Sequence, residues 1–86
     1  MKHAINIKVG NNIKDIRQSK GLSQEQLADI AGVHRTYIGM VERAEKNITL
    51  VSLEKIAKAL GVTTEMLLRD NNGQERITEP RELAKS

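Results

Sequence analysis

The sequence contains no cysteine, tryptophan or phenylalanine, and it has one tyrosine and one proline. Without cysteine, neither disulfides nor thiolate metal sites can form, and a fold without such cross-links suits the reducing cytoplasm, where we expect the protein to reside. Tyr37, the one tyrosine, cannot supply the aromatic platforms on which single-strand binders and RNA recognition motifs stack bases. If the partner is a nucleic acid, duplex DNA is the better candidate.

Long apolar runs and catalytic motifs are also missing. No segment approaches the roughly 20 apolar residues that cross a bilayer, and the polar residues among the first nine predict no signal peptide. There is no HExxH, GxGxxG or Walker-type glycine loop, and the two histidines, His3 and His34, lie far apart in the sequence. No Ser, His and carboxylate set lies in a recognisable frame. The sequence therefore predicts neither an enzyme nor a metal, cofactor or small-molecule effector.

The charge balance is mildly basic. The 86 residues form a single domain and carry a net charge of +3. Residues 1–70 hold 11 Lys or Arg against 8 Asp or Glu, whereas residues 71–86 hold three of each. The excess lies entirely outside the tail, and it favours a polyanionic partner without identifying one.

The stretch from Leu22 to Glu42 predicts two short helices joined by a glycine turn. Ser23 is a good N-cap and Gln26 follows at the spacing of a capping box, before the apolar residues Leu27, Ile30 and Ala31. Gly32 can supply the positive φ of a tight corner, with Val33 as an apolar plug beneath it. The second helix begins at about His34 or Arg35. This arrangement is typical of a helix-turn-helix, whose second helix enters the major groove of B-DNA.

The second helix of this pair has two different sides. At about 100° per residue, Tyr37, Ile38 and Val41 share one side. The opposite side holds two arginines with small or flexible neighbours, namely Arg35, Thr36, Gly39, Met40 and Arg43. Such a surface predicts contact with a partner rather than ordinary solvation.

Three further helices and two terminal segments complete the predicted chain. Residues 1–8 alternate weakly between apolar and polar and predict a loose arm or a short strand. Val9, Ile13 and Ile16 then form one stripe of a helix that Gly21 ends. A fourth helix, capped by Thr49, carries apolar residues at helical spacing up to Gly61, namely Leu50, Leu53, Ile56, Ala57 and Leu60.

A short fifth helix, from Thr64 to about Arg69, follows a Thr63 cap. Met66, Leu67 and Leu68 are more apolar surface than one side can bury, so we predict that they contribute to a dimer interface. Residues 71–86 have mixed charges and little apolar content, which predicts disorder or a weakly docked final turn.

Residues 9–70 resemble the five-helix, helix-turn-helix family of phage repressors, Cro and XRE-type regulators. The resemblance rests on GLSQEQLADIAGV, on the end of the second helix at residues 38–42, and on LEKIAKALGVTTEMLL. Within that family, the block HRTYIGMVERAEKNITLVSLEKIAKAL is similar to the controller proteins of restriction-modification systems. The resemblance implies an all-α, compact five-helix bundle that acts as a homodimer on duplex DNA. The arm at 1–8 and the tail at 71–86 would flank this DNA-binding domain.

The resemblance also implies roles for individual residues. The base-reading set would be His34, Arg35, Thr36, Tyr37 and Met40, although the Tyr37 ring can equally complete the core and Met40 suits a filler at the groove edge. The residues that would bind phosphates or reach into the groove are Gln24, Arg43, Lys46 and Asn47. Arg17 and Glu42 match a pair that bonds across the first and third helices.

Gly39 departs from the family pattern, because many members carry a polar base reader at this position. Either the backbone approaches DNA closely there, or specificity is concentrated at the start of the helix. The leading hypothesis is a homodimeric, sequence-specific transcriptional regulator of either sign that acts on inverted-repeat operators, with a restriction-modification controller as its narrower form. The rivals are an antitoxin-type or protein-interaction module with the same fold, which could use residues 71–86, and a helical adaptor without DNA affinity.

Overall fold

The computed structural model describes residues 3–70, and within them it contains five helices and no strand. The predicted all-α, five-helix fold is confirmed. The helices are α1 (Ala4–Ser19), α2 (Gln24–Ala31), α3 (Arg35–Glu42), α4 (Leu50–Leu60) and α5 (Thr64–Leu68). None of these helices is both long and apolar enough to cross a lipid bilayer. The prediction for the tail concerns residues 71–86, which lie outside the described part of the chain.

Local sequence determines most of the helix ends. The Ser23 hydroxyl accepts a hydrogen bond from the Gln26 amide, and the Gln26 side chain accepts one from the Ser23 amide, which completes the predicted capping box. Thr49 and Thr63 cap α4 and α5 in the same way. Gly32 ends α2 with a φ of 75°, a conformation that costs a residue with a Cβ about 1–2 kcal/mol. These predicted boundaries are therefore confirmed.

The core lies where all five helices meet. Its buried members come from every helix and include Val9, Ile13, Leu27, Ile38, Val41, Leu53, Ile56, Leu60 and Leu67. Val33 and Val62, each of which follows a helix-ending glycine, pack against this core as partly buried side chains. The turn between α2 and α3 is consequently fixed by an apolar contact as well as by backbone conformation.

The predicted N-terminal arm is wrong for the described residues of its range, because α1 begins at Ala4. The alternation of apolar residues misled the prediction, since Ile5 and Ile7 are both exposed and pack into no sheet. The His3 carbonyl instead accepts hydrogen bonds from the Asn6 and Ile7 amides, which starts the helix without a side-chain cap. The helix that starts here includes Val9, which lies on the same buried side as Ile13.

Three apolar side chains also lie elsewhere than predicted. Ile30 and Leu50 have the apolar character and helical spacing of core residues, but both are exposed, and Ala28 takes the buried position beside Leu27. Leu67 was expected at a dimer interface, yet it is 0% exposed and belongs to the core of its own chain. Only Met66 and Leu68, on either side of it, keep surface available for a partner.

Candidate nucleic-acid interface

An ion pair buried between α1 and α3 fixes the position of the second helix of the pair. Arg17 Nε lies 2.7 Å from Glu42 Oε2, and Arg17 Nη2 donates to Glu42 Oε1 over 3.1 Å. Arg17 Nη1 also donates to the Leu22 carbonyl, at the start of the segment that leads into α2. The pair expected from the resemblance is thus present, and bidentate geometry of this kind restricts both distance and angle.

Gln24 joins the same ion pair from the first turn of α2. Its Nε2 donates to Glu42 Oε1 over 2.9 Å, so Glu42 links α1, α2 and α3. Gln24 is one of the residues expected to bind a phosphate, and its side chain is already oriented by this hydrogen bond. The Gln24 amide has a second N–H, and a donor held in place in this way loses less entropy on binding than a free one.

The start of α3 carries the predicted base-reading residues. His34 is the N-cap and makes no capping hydrogen bond through its side chain, and His34, Arg35 and Thr36 are all exposed. Tyr37 is partly buried and packs against the core, whereas Met40 is partly buried at the edge of the outward side. The structure therefore brings the polar members of this set together on one exposed turn.

Each exposed arginine of α3 and its C-cap lies beside a carboxylate that the sequence analysis did not single out. Arg35 Nη1 is 3.9 Å from Glu25 Oε1, and both side chains are largely exposed. Arg43 Nε is 3.1 Å from Glu45 Oε2. The hydrogen bond to Glu45, together with its charge, raises the pKa of the Arg43 guanidinium above its ordinary value. Both arginines are therefore exposed cations, and solvent weakens the attraction of each to its neighbouring carboxylate.

The loop after α3 is connected to the first turn of α1. Asn6 Nδ2 donates to Asn47 Oδ1 over 2.6 Å, although the two residues are 41 positions apart. Lys46 and Asn47 are exposed. Nothing in the sequence indicated this pairing, because asparagine in a helix and asparagine in a turn are each common and the contact depends on how the helices pack.

The structure accounts for the unusual glycine at the centre of the outward side. A Cβ at position 39 would lie 3.1 Å from Arg43 Nη1 and 3.5 Å from the Gln24 side-chain oxygen. Two candidate phosphate-binding side chains thus extend over Gly39, Gln24 from α2 and Arg43 from the C-cap of α3 itself. The glycine leaves room for them, and the backbone at this position is buried beneath them.

Replacing Gly39 with alanine should raise the free energy of unfolding by up to about 1 kcal/mol. Alanine favours the helix, and the atoms in the way are ends of flexible side chains that can shift by a few tenths of an ångström. Urea denaturation would measure the change. Gly32→Ala is the matched control, because nothing obstructs a Cβ there but its φ is 75°, so it should lose about 1 kcal/mol. A loss at both positions would contradict this account of Gly39.

Two short helices at a fixed angle, joined by a glycine turn and presenting one exposed cationic turn, define a helix-turn-helix module. Within residues 3–70, no group of three or more His, Asp or Glu side chains is arranged to hold a metal ion. The HTH_3 family model, described as helix-turn-helix, matches residues 13–67. The chain belongs to this family.

Similar proteins agree with that assignment. Control protein C.SmaI of Serratia marcescens is 52% identical over 60 residues, which cover 70% of this chain and 71% of the relative. The crystal structure of the restriction-modification controller protein C.AhdI from Aeromonas hydrophila has a TM-score of 0.73 at 42% identity, and the match covers 76% of this chain and 98% of that one. The structure of SinR in complex with DNA matches with a TM-score of 0.68 at 37% identity, covering 71% and 98%.

Proposed function

We propose that this chain is a sequence-specific, duplex-DNA-binding transcriptional regulator that controls the expression of restriction-modification genes as a homodimer. The observation that carries the proposal is the exposed first turn of α3, which presents His34, Arg35 and Thr36 from a helix held by the buried Arg17–Glu42 pair. Relatives described as control or restriction-modification controller proteins support the narrower assignment.

The contacts divide into two kinds. In the proposed complex, Arg35 donates two guanidinium N–H groups to the O6 and N7 atoms of a guanine, while Thr36 contacts a thymine methyl group or a phosphate. Gln24, Arg43, Lys46 and Asn47 bind the backbone or reach into the groove, and they supply most of the affinity. Glu25 and Glu45 release their arginines when phosphates or base edges take their place.

A dimer would place two copies of α3 in successive major grooves about 34 Å apart, which predicts inverted half-sites separated by about one helical turn. Met66 and Leu68 supply exposed apolar surface for that assembly. Selection of bound duplexes from a random pool tests the proposal directly. Two inverted half-sites at this spacing would support it, and recovery of no preferred sequence would overturn sequence-specific regulation.

Removing the Arg35 side chain should weaken binding to the selected operator by about 1–3 kcal/mol and relax the preference at one base position in each half-site. Fluorescence anisotropy with operator and scrambled duplexes, across a range of salt concentrations, measures both effects. Lys58→Ala on α4 is the matched control, because it also removes one exposed positive charge. If Arg35→Ala weakens both duplexes equally, Arg35 contacts phosphate and does not read a base.

A further inference from the structure

The C-terminal end of α5 is held by a side chain from α1. α5 has five residues, too few to be stable alone, and it ends at Arg69 in an extended conformation instead of at a left-handed glycine. The last carbonyl groups of any helix lack partners within that helix. Here Asn12 Nδ2 donates to the Leu67 carbonyl over 2.8 Å and to the Arg69 carbonyl over 2.9 Å. The cap that α5 lacks in its own sequence is therefore supplied by α1.

Asn12 is buried against the segment that it caps. It is 2% exposed, so its amide has left water and needs the bonds it makes to α5. It lies within α1, whose own backbone hydrogen bonds do not require it. Asn12 therefore cannot contact DNA or a partner chain itself, and any effect of it on assembly must pass through α5.

A second contact holds the same segment from the surface. Lys8 Nζ lies 2.8 Å from Asp70 Oδ1, one turn before Asn12 on α1 and one residue after Arg69. Between these anchors and the Thr63 cap lie the exposed Met66 and Leu68. Leu67, buried between them, fixes which way the two side chains point. α1 thus contributes two polar anchors to the orientation of this apolar pair.

We propose that Asn12 is a positioning residue for homodimer assembly: by bonding the end of α5, it holds Met66 and Leu68 in the orientation that a second copy of the chain requires. This inference rests on the proposed homodimer. It assigns α1 a role in assembly that is separate from DNA contact. The loss of Asn12 is expected to impair dimerisation while the isolated chain still binds a single half-site.

The test compares Asn12→Leu with Asp70→Asn. Asn12→Leu keeps a side chain of similar size but removes both donors, and it should raise the dimer dissociation constant about tenfold or more in sedimentation equilibrium. Asp70→Asn weakens only the exposed ion pair and leaves the core untouched, so it should fold normally and raise the constant about two- to threefold. Affinity for a duplex with one half-site should stay within about twofold of wild type for both variants.

Ile56→Val is the control for general destabilisation, because it removes one buried methyl group from the core and leaves the end of α5 unchanged. Its dimer dissociation constant, corrected for the folded fraction measured by circular dichroism, should equal that of the wild type. Wild-type dimerisation by folded Asn12→Leu and Asp70→Asn would overturn the positioning role. An equal loss of dimer and half-site affinity would also overturn it. A wild-type chain that stays monomeric at high concentration would instead refute the proposed homodimer.

Discussion

Replacing Glu42 with alanine should lower the free energy of unfolding by about 3–5 kcal/mol, a large part of the stability of a small domain. The substitution leaves Arg17 buried with two of its donors unpaired, and Gln24 loses its acceptor as well. The loss is larger than for a surface pair because an unpaired charge in the interior retains its cost of desolvation. Urea denaturation, with the slope m checked for a constant extent of unfolding, measures the change.

Glu45→Ala is the matched control for this prediction. Glu45 also pairs with an arginine, but that pair is exposed, so its loss should cost no more than about 1 kcal/mol. The double variant Arg17→Met with Glu42→Leu removes both charges, so that only the neutral Leu22 carbonyl and the Gln24 amide lose a partner. It should be more stable than Glu42→Ala alone. Equal effects of Glu42→Ala and Glu45→Ala would show that the buried pair does not hold α1 against α3.

Gly10→Ala should destabilise the protein by about 3 kcal/mol, at the upper end of what overpacking costs. A Cβ at this position would lie 2.8 Å from the Glu42 carbonyl oxygen and closer still to that of Val41. Both obstacles are backbone atoms of α3, so α1 would have to move away from it. This cost outweighs the roughly 1 kcal/mol by which alanine favours a helix over glycine. Thermal and urea unfolding would measure the difference.

Gly39→Ala is the natural comparison, because both glycines are buried within helices. Helix propensity alone predicts the same gain at both positions. The structure predicts opposite signs, since backbone carbonyls face position 10 and flexible side chains face position 39. If Gly10→Ala also stabilises the protein, the close approach of α1 to α3 does not exist in solution.

Features that depend on neighbouring residues could be predicted from the sequence. The Ser23 capping box and the turn at Gly32 both follow from atoms within a few positions of one another. The N-terminal end of α1 could not be predicted, because His3 makes no side-chain cap and alternating apolar residues resemble a strand. Burial was also predicted wrongly at one helix end, since Leu50 has the spacing of a core residue but is the exposed first residue of α4.

The candidate interface divides in the same way. The exposed turn of Arg35 and Thr36 could be predicted from helix periodicity and family resemblance. The roles of Gly10 and Asn12 could not, because each depends on backbone atoms far along the chain, at residues 41–42 for the one and at residues 67 and 69 for the other. Glycine and asparagine in a helix suggest weakness when considered alone. Their use becomes apparent only when the facing helix is known.

The bonds from Asn12 to α5 also bear on the order in which the chain can fold. They join residues 55 and 57 positions apart, whereas α2 and α3 are neighbours in sequence. Closing the longer loop costs more chain entropy, so we expect α5 to dock after the central helices have shortened the distance. A nascent chain therefore cannot complete the surface of Met66 and Leu68 until α5 has left the ribosome and docked on α1, which is made before the other four described helices.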